Sequence, residues 1–347
     1  MASSRQPEPI DQLVDRALQG DRRALARLIS RVENGGPDGW SALSRLYPLT
    51  GRARLIGVTG APGTGKSTLV GEIAKSARKT RPDQKVGIVA VDPTSPFSGG
   101  AVLGDRIRMR DLSGDEGVFI RSMATRGSLG GLARATTDVV KVLDACGYDL
   151  ILIETVGAGQ SEIDIARTAE TVIVVEAPGL GDEVQAIKAG ILEIADVLCV
   201  NKADRDGVQS TVNALTAMLD LGTAARQSHT LHHGVLLPVE SPPVADGERW
   251  RPPIIKTIAA AGKGIDELIA AVEQHRAFLR ARPEGRQRAR VRAAIELETI
   301  LREALLTQLR DSAGSDRLSG AIERIAARQI DPYSAAAELL KLSTASG

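Results

Sequence analysis

Cysteine and aromatic residues are scarce in this chain, and neither sign of charge dominates. The 347 residues include two cysteines, two tryptophans, three tyrosines and three phenylalanines, and the formal net charge is +1. Cys146 and Cys199 lie among apolar residues, which predicts small buried side chains rather than a disulfide or a metal site. So few aromatics disfavour a surface that stacks single-stranded bases, and the balanced charge disfavours a strongly basic surface. We therefore expect no nucleic-acid partner.

Long hydrophobic runs are also missing. No apolar stretch approaches the roughly 20 residues that a membrane-spanning helix needs, and the polar N-terminus lacks the apolar core of a signal peptide. The sequence therefore predicts a cytoplasmic protein with no membrane partner, and its length suits one large domain with appendages or two modest domains.

Short apolar segments alternate with helical patterns in the middle of the chain. Strands are predicted at 54–59, 85–91, 117–121, 149–154, 171–176, 196–200 and 253–258, and helices at 66–80, 131–146, 183–194, 208–220 and 265–280. Several of these strands are apolar throughout, as in a parallel sheet that is covered on both faces. The pattern predicts a doubly wound, mostly parallel α/β domain over residues 51–283.

Helical extensions are predicted on both sides of this domain. Residues 1–50 form a helical arm in which Asp21 caps a helix, and an apolar stripe in the arm is expected to pack on the next domain; its residues are Trp40, Leu43, Leu46 and Tyr47. Residues 284–347 are charged and rich in leucine and alanine, which predicts a pair of helices at 286–312 and 316–342. Apolar stripes on such an appendage favour packing or dimerisation over catalysis.

A glycine-rich turn follows the first predicted strand. Its residues are Gly60, Ala61, Pro62, Gly63, Thr64, Gly65, Lys66 and Ser67, with Thr68 next, and they form the P-loop pattern between a strand and a helix. Backbone N–H groups of such a loop surround a phosphate, and the helix N-terminus adds a positive dipole end. Lys66 is predicted to reach the β- and γ-phosphates, and the Ser67 hydroxyl to ligate Mg²⁺.

Acidic residues at the ends of two further strands extend this site. Asp92 ends one predicted strand, and Glu154 ends another before Gly157, whose N–H is predicted to contact the γ-phosphate. Between them, residues 94–109 have the composition of a switch loop that contains Asp105. We predict that Ser67, Asp92, Asp105 and Glu154 surround Mg²⁺, and that Lys66 and these three carboxylates supply the catalytic electrostatics. For Arg108 and Gln160, a solvent-facing role competes with a catalytic one.

The sequence Asn201-Lys202-Ala203-Asp204 follows another predicted strand and indicates the base. A carboxylate at Asp204 accepts hydrogen bonds from guanine N1–H and the 2-amino group, whereas adenine offers no such pair of donors. The Lys202 stem can lie over the plane of the base. Together with the P-loop, this segment predicts a GTPase that binds GTP and GDP.

These motifs resemble the MeaB/ArgK family, the GTPase chaperones associated with methylmalonyl-CoA mutase. The resemblance covers about residues 10–280, and its segments are 60–67, 91–95, 99–109, 122–127, 154–162 and 201–204. It implies slow GTP hydrolysis coupled to cofactor loading, protection and rescue of an adenosylcobalamin-dependent acyl-CoA mutase. It also implies a homodimer and a mobile, partner-responsive segment at 178–188, where Asp182, Gln185 and Lys188 are the residues to test.

The sequence departs from the family where a Ser-Ala pair usually lies near the base. Ile258-Ala259 occupies this place, so a backbone contact from Ala259 to the guanine oxygen remains possible without a serine hydroxyl. Two other functions stay open. One is a small-molecule kinase that uses the same P-loop, and the other is a metallochaperone relative, for which His229, His232 and His233 are the candidate ligands, although a flexible loop explains them better.

Overall fold

Seven parallel strands form one sheet in this computed structural model, which describes residues 8–93, 110–112, 114–125, 131–155, 161–179, 189–225 and 250–344. The strands are β1 (Arg54–Thr59), β2 (Val86–Pro93), β3 (Val118–Thr125), β4 (Leu150–Thr155), β5 (Thr171–Glu176), β6 (Val197–Val200) and β7 (Ile254–Lys256). Their order is β3-β2-β4-β1-β5-β6-β7, and every neighbouring pair is parallel. The predicted α/β class is therefore confirmed.

Twelve α-helices accompany the sheet in the described part of the chain. They are α1 (Ile10–Leu18), α2 (Arg22–Asn34), α3 (Pro37–Leu46), α4 (Lys66–Thr80), α5 (Gly131–Ala145), α6 (Ser161–Thr168), α7 (Ala189–Ile194), α8 (Val208–Ala225), α9 (Ile265–Ala281), α10 (Pro283–Ala313), α11 (Ser315–Ala326) and α12 (Pro332–Thr344). Of these described helices, none has both the length and the apolar character needed to cross a membrane.

Both faces of the sheet are covered. On one face, residues such as Ile151 and Ile153 of β4 pack with the helical arm α1–α3 and with α5–α8. On the other face, the alternate residues Leu150 and Leu152 pack with α4 and α9. Because successive side chains of a strand point to opposite faces, continuous apolar strands of this kind require a layer on each side.

The N-terminal arm folds as the sequence predicts, except for its aromatic residues. The Asp21 side chain accepts hydrogen bonds from the N–H groups of Arg23 and Ala24 and so caps α2. Leu46 is buried, but Trp40 and Tyr47 are 50% and 61% exposed, so the predicted apolar stripe packs only in part.

The predicted pair of C-terminal helices is wrong, because three helices occupy this region. Residues 316–342, predicted as one helix, divide into α11 and α12. Arg328 takes a positive φ of 57° after α11, and Asp331 accepts hydrogen bonds from the N–H groups of Tyr333 and Ser334. This cap, followed by a proline at the first position of α12, starts a new helix. The described residues up to 288 pack as one unit, and those from 289 onward pack as a second.

A buried polar cluster lies where β5 and β6 begin, at the edge of the sheet opposite to the strands' carboxyl ends. The His275 ring is fully buried, with Nδ1 2.9 Å from the Thr171 hydroxyl and Nε2 3.2 Å from Oδ1 of Asp196. The same Asp196 oxygen accepts a 2.9 Å hydrogen bond from Arg288, and Trp250 Nε1 donates to the Asp196 carbonyl at 2.7 Å. Burial lowers the pKa of His275 to about 4; the Asp196 carboxylate opposes this effect and Arg288 adds to it.

We expect this histidine to make folding stability depend on pH. Because the pKa of His275 is about 4 in the folded chain and about 6.5 when unfolded, the unfolded state binds the proton first as the pH falls. The contribution of neutral His275 to the free energy of unfolding is therefore fully present above pH 6.5 and is lost as the pH drops toward 4. The free energy of unfolding should fall by about 2 kcal/mol between pH 7.5 and 5 for this reason. Urea unfolding of the wild type and of His275→Gln at both pH values measures this difference. An equal change in both proteins would contradict it.

Candidate nucleotide site

The carboxyl ends of β1, β2, β4 and β6 meet at one edge of the sheet. The P-loop leaves β1, which lies between β4 and β5, so the loop emerges near the middle of the sheet. In open α/β sheets, ligands bind outside the carboxyl ends of the strands near the point where the strand order reverses. The predicted phosphate and base motifs both lie at this edge.

Three glycines give the P-loop its shape. Gly60, Gly63 and Gly65 have φ values of 137°, 81° and 94°, a region that residues with a side chain rarely adopt. A Cβ on Gly60 would lie 2.1 Å from the carbonyl oxygen of Val175 in β5, and one on Gly65 would lie 2.5 Å from Nδ2 of Asn201. The loop therefore packs against its neighbours without room for side chains at these two positions.

Lys66 lies buried inside the loop that carries it. Its Nζ donates hydrogen bonds to the carbonyl oxygens of Gly60 at 2.8 Å and Ala61 at 2.9 Å. The ammonium group is thus held at the concave side of the loop, where a phosphate oxygen can replace a carbonyl as its acceptor.

The first turn of α4 adds donors to the same place. Gly65, the residue before this helix, has no side chain, so no side-chain cap competes with a ligand for the first N–H groups of the helix. The helix dipole adds positive potential there. A loop of this shape, with a lysine and a helix N-terminus, binds an anion such as a phosphate.

A hydroxyl and a carboxylate meet beside the loop. Ser67 Oγ donates a 2.6 Å hydrogen bond to Oε1 of Glu154, and both side chains are buried. Glu154 belongs to β4, so the sheet brings together two residues that are 87 positions apart. Carboxylate and hydroxyl oxygens are hard donors of the kind that Mg²⁺ prefers, so these residues fit the predicted ion.

Several predicted residues lie wholly or partly outside the described residues. Asp92 is the second-last residue of β2, where it pairs with Ala124 of β3, and only its backbone position is described. The other predicted residues that lie outside the described ranges are Asp105, Arg108, Gly157, Gln160, Asp182, Gln185, Lys188, His229, His232 and His233. Their predicted roles therefore stay predictions.

Asn201 joins the base segment to the P-loop. Its Nδ2 donates a 2.8 Å hydrogen bond to the carbonyl of Thr64, while Oδ1 accepts from Thr257 Oγ1 at 3.1 Å and from the Ala259 N–H at 3.0 Å. The side chain is 2% exposed. The amide therefore links the segments after β1, β6 and β7.

The remaining base residues lie at the same edge of the sheet. Lys202 has a positive φ of 57°, and its Nζ donates to the carbonyl of Gly63 at 2.6 Å, so its stem crosses from the base segment to the P-loop. Asp204 is exposed two residues later, where its carboxylate is accessible to a ligand. Ala259 is buried, and its N–H is bonded to Asn201 in this conformation.

Three threonines at this edge were missed by the sequence analysis. Thr257 holds Asn201, and Thr155 donates a 2.9 Å hydrogen bond to Thr59, which joins the ends of β4 and β1 next to the P-loop. All three side chains are at most 3% exposed. A buried polar residue at the carboxyl end of an apolar strand is a signal that would have found them.

Comparison with known proteins gives one consistent result. A family model described as methylmalonyl Co-A mutase-associated GTPase MeaB matches residues 25–314. A Pyrococcus abyssi protein with a GTPase name is 47% identical over 332 residues, which cover 96% of each chain. A Mus musculus protein named methylmalonic aciduria type A homolog, mitochondrial, is 34% identical over 280 residues, 77% of this chain and 63% of that protein.

A solved structure gives the same fold. The crystal structure of the LAO/AO transport system kinase matches with a TM-score of 0.64 and 24% identity, over 98% of this chain and 99% of that one. At this identity the match supports the fold alone.

Proposed function

Since the chain belongs to the family of methylmalonyl-CoA mutase-associated GTPases, we propose that it binds GTP with Mg²⁺, hydrolyses the γ-phosphate and assists an adenosylcobalamin-dependent acyl-CoA mutase. Its role toward the mutase would be that of a chaperone, in cofactor loading, protection and reactivation. Methylmalonyl-CoA mutase is the partner that the family name favours.

The hydrogen bond from Asn201 to the P-loop carries the nucleotide part of this proposal. Its 2.8 Å contact with the Thr64 carbonyl, together with the contact from Lys202 to Gly63, joins the predicted base and phosphate segments into one site. A site that combines these two segments has the donors for a triphosphate at one end and a carboxylate for guanine at the other.

Hydrolysis in this site would rest on positioning and charge rather than on a covalent step. The P-loop N–H groups and the α4 N-terminus hold the β-phosphate, and Lys66 moves from the carbonyls of Gly60 and Ala61 to the β- and γ-phosphate oxygens. Water then attacks the γ-phosphorus in line with the departing GDP oxygen, and Lys66 stabilises the charge that develops on the phosphates.

Mg²⁺ would be held by Ser67 and, directly or through water, by the carboxylates Asp92, Asp105 and Glu154. The 2.6 Å contact between Ser67 and Glu154 supports this set, because it gathers two hard oxygen donors beside the P-loop. When bound, the ion neutralises charge on the β- and γ-phosphates.

A homodimer is part of the proposal. Leu297, Leu301 and Leu305 of α10 repeat every four residues and are 51%, 42% and 62% exposed. Large apolar side chains on one helix face support an interaction with another protein surface. We assign this face to a second copy of the chain, as the resemblance to the family implies.

Three further parts of the function stay proposals of the same kind. The division into residues 1–50, 51–283 and 284–347 would separate an arm, a GTPase domain and a dimerisation segment. Residues 178–188 would respond to the mutase. The protein would act in the cytoplasm, without nucleic-acid or membrane partners.

GTP turnover measured with and without a methylmalonyl-CoA mutase tests the function. We expect slow basal hydrolysis that rises by about tenfold or more with the mutase, because a partner can complete the charge around the γ-phosphate. Lys66→Ala, as the control, should abolish both rates.

Two results would contradict this function. Fast GTP hydrolysis at a rate that does not change when the mutase is added would contradict the chaperone role. Phosphate transferred to a small acceptor, rather than released, would favour a kinase.

A further inference from the structure

Thr257 lies beneath the base segment and contacts it twice. Its hydroxyl donates to Oδ1 of Asn201 at 3.1 Å, and its carbonyl accepts a 3.0 Å hydrogen bond from the N–H of Ala203. Ala203 lies between Lys202 and Asp204, so one buried residue holds the segment on both sides of the lysine. Thr257 itself is 1% exposed and cannot touch a nucleotide.

The donors and acceptors around the Asn201 amide determine its orientation. The Ala259 N–H can only donate and the Thr64 carbonyl can only accept, so Oδ1 must face Ala259 and Nδ2 must face Thr64. The Thr257 hydroxyl must then donate its proton to Oδ1, because a carbonyl oxygen has no proton to give. The hydroxyl is the second of the two donors that hold this orientation.

The hydroxyl of Thr257 has a further partner inside the sheet. Cys199 Sγ lies 3.2 Å from Thr257 Oγ1. Since the hydroxyl proton of Thr257 points to Asn201, a lone pair of Thr257 Oγ1 faces Cys199, and the thiol donates its proton to that oxygen. Burial raises the pKa of Cys199 to about 12, so the thiol keeps this proton at neutral pH. The chain of hydrogen bonds thus runs from β6 through Thr257 and Asn201 to the P-loop.

We propose that Thr257 is a positioning residue for guanine-nucleotide recognition, and that its hydroxyl orients the Asn201 amide, which holds the base segment against the P-loop. The inference rests on the proposed nucleotide site and names a residue that contributes to its affinity without contacting the ligand. A valine at this position has nearly the same shape but leaves Oδ1 with a single donor, so the amide can rotate away from Thr64.

The test is the dissociation rate of a fluorescent GDP analogue from the full chain. We expect Thr257→Val to speed dissociation about tenfold, which corresponds to the loss of one buried hydrogen bond. Thr257→Ser keeps the hydroxyl and should restore the wild-type rate, and Thr257→Cys, with a weaker donor, should fall between them. Thr136→Val makes the same change at a buried threonine of α5 and should leave the rate unchanged.

Steady-state kinetics of GTP hydrolysis distinguishes a positioning role of Thr257 from partial unfolding of the Thr257→Val variant. Thr257→Val should raise the KM for GTP more than it lowers kcat, whereas partial unfolding would lower kcat and leave the KM of the remaining folded protein unchanged. If Thr257 acts through Asn201, adding Thr257→Val to Asn201→Ala should cause little further loss of GDP affinity.

The results distinguish an error in the proposed nucleotide site from an error in the role of Thr257. Wild-type protein that does not bind GDP would contradict the proposed function itself. Wild-type protein that binds GDP, with Thr257→Val releasing it at the same rate, would overturn the role of Thr257 alone. Independent, multiplicative effects of Thr257→Val and Asn201→Ala would also overturn it.

Discussion

Replacing Gly60 with alanine is expected to abolish nucleotide binding and to destabilise the fold by at least about 3 kcal/mol. The added Cβ would lie 2.1 Å from the Val175 carbonyl oxygen, and the φ of 137° is unfavourable for any side chain. Because the colliding atom belongs to the backbone of β5, a strand in the middle of the sheet, it cannot rotate away. The P-loop must therefore shift, and its N–H groups would lose their common direction.

Gly63→Ala is the matched control for this prediction. Gly63 also has a positive φ, 81°, but a Cβ there meets no atom within 4 Å. Only the conformational cost remains, which is about 1–2 kcal/mol for a left-handed residue. Urea unfolding and GDP titration of both variants compare the two costs. Equal destabilisation by the two substitutions would show that the close approach to Val175 is not what requires glycine.

Replacing Asp204 with asparagine is expected to change the base that the protein binds. The carboxylate accepts from guanine N1–H and the 2-amino group, whereas an amide offers one acceptor and one donor. Xanthine has a carbonyl in place of the 2-amino group and therefore matches the amide. We expect Asp204→Asn to weaken GDP binding about 100-fold or more, because a pair of charge-assisted hydrogen bonds is lost, and to gain binding of XDP.

Asp206→Asn makes the same chemical change two residues further on, at another exposed position. It should leave the preference for GDP unchanged, which separates recognition from a general effect of charge. Competition between GDP and XDP for each variant gives the comparison. An unaltered preference in Asp204→Asn would mean that this carboxylate does not contact the base.

The central elements of the fold could be predicted from the sequence because their signals are local. The bounds of β1, α4 and β5 agree with the predicted segments 54–59, 66–80 and 171–176. Each of these is a continuous apolar run or an amphipathic helix beside a glycine-rich turn. The number of C-terminal helices could not be predicted from such local signals. The leucine and alanine pattern continues on both sides of Asp331 and Pro332, where the chain starts a new helix.

The candidate site could be predicted only in part, for a physical reason. Sequence motifs identified Lys66 and Asn201 as site residues. The hydrogen bond from Asn201 to Thr64, however, spans 137 positions and depends on how β6 lies relative to β1. Thr257 belongs to no motif, and its role follows from the pairing of β7 with β6, in which Lys256 lies opposite Val200. Strand neighbours of this kind are set by the whole fold, not by a local pattern.

Calorimetric titration of the wild-type chain with GDP and with ADP, both in the presence of Mg²⁺, shows whether the protein selects guanine. We expect one GDP bound per chain and no measurable binding of ADP, since only guanine supplies both donors to Asp204. ADP binding as tight as GDP binding would contradict base selection by the segment after β6. The absence of binding by either nucleotide would contradict the site as a whole.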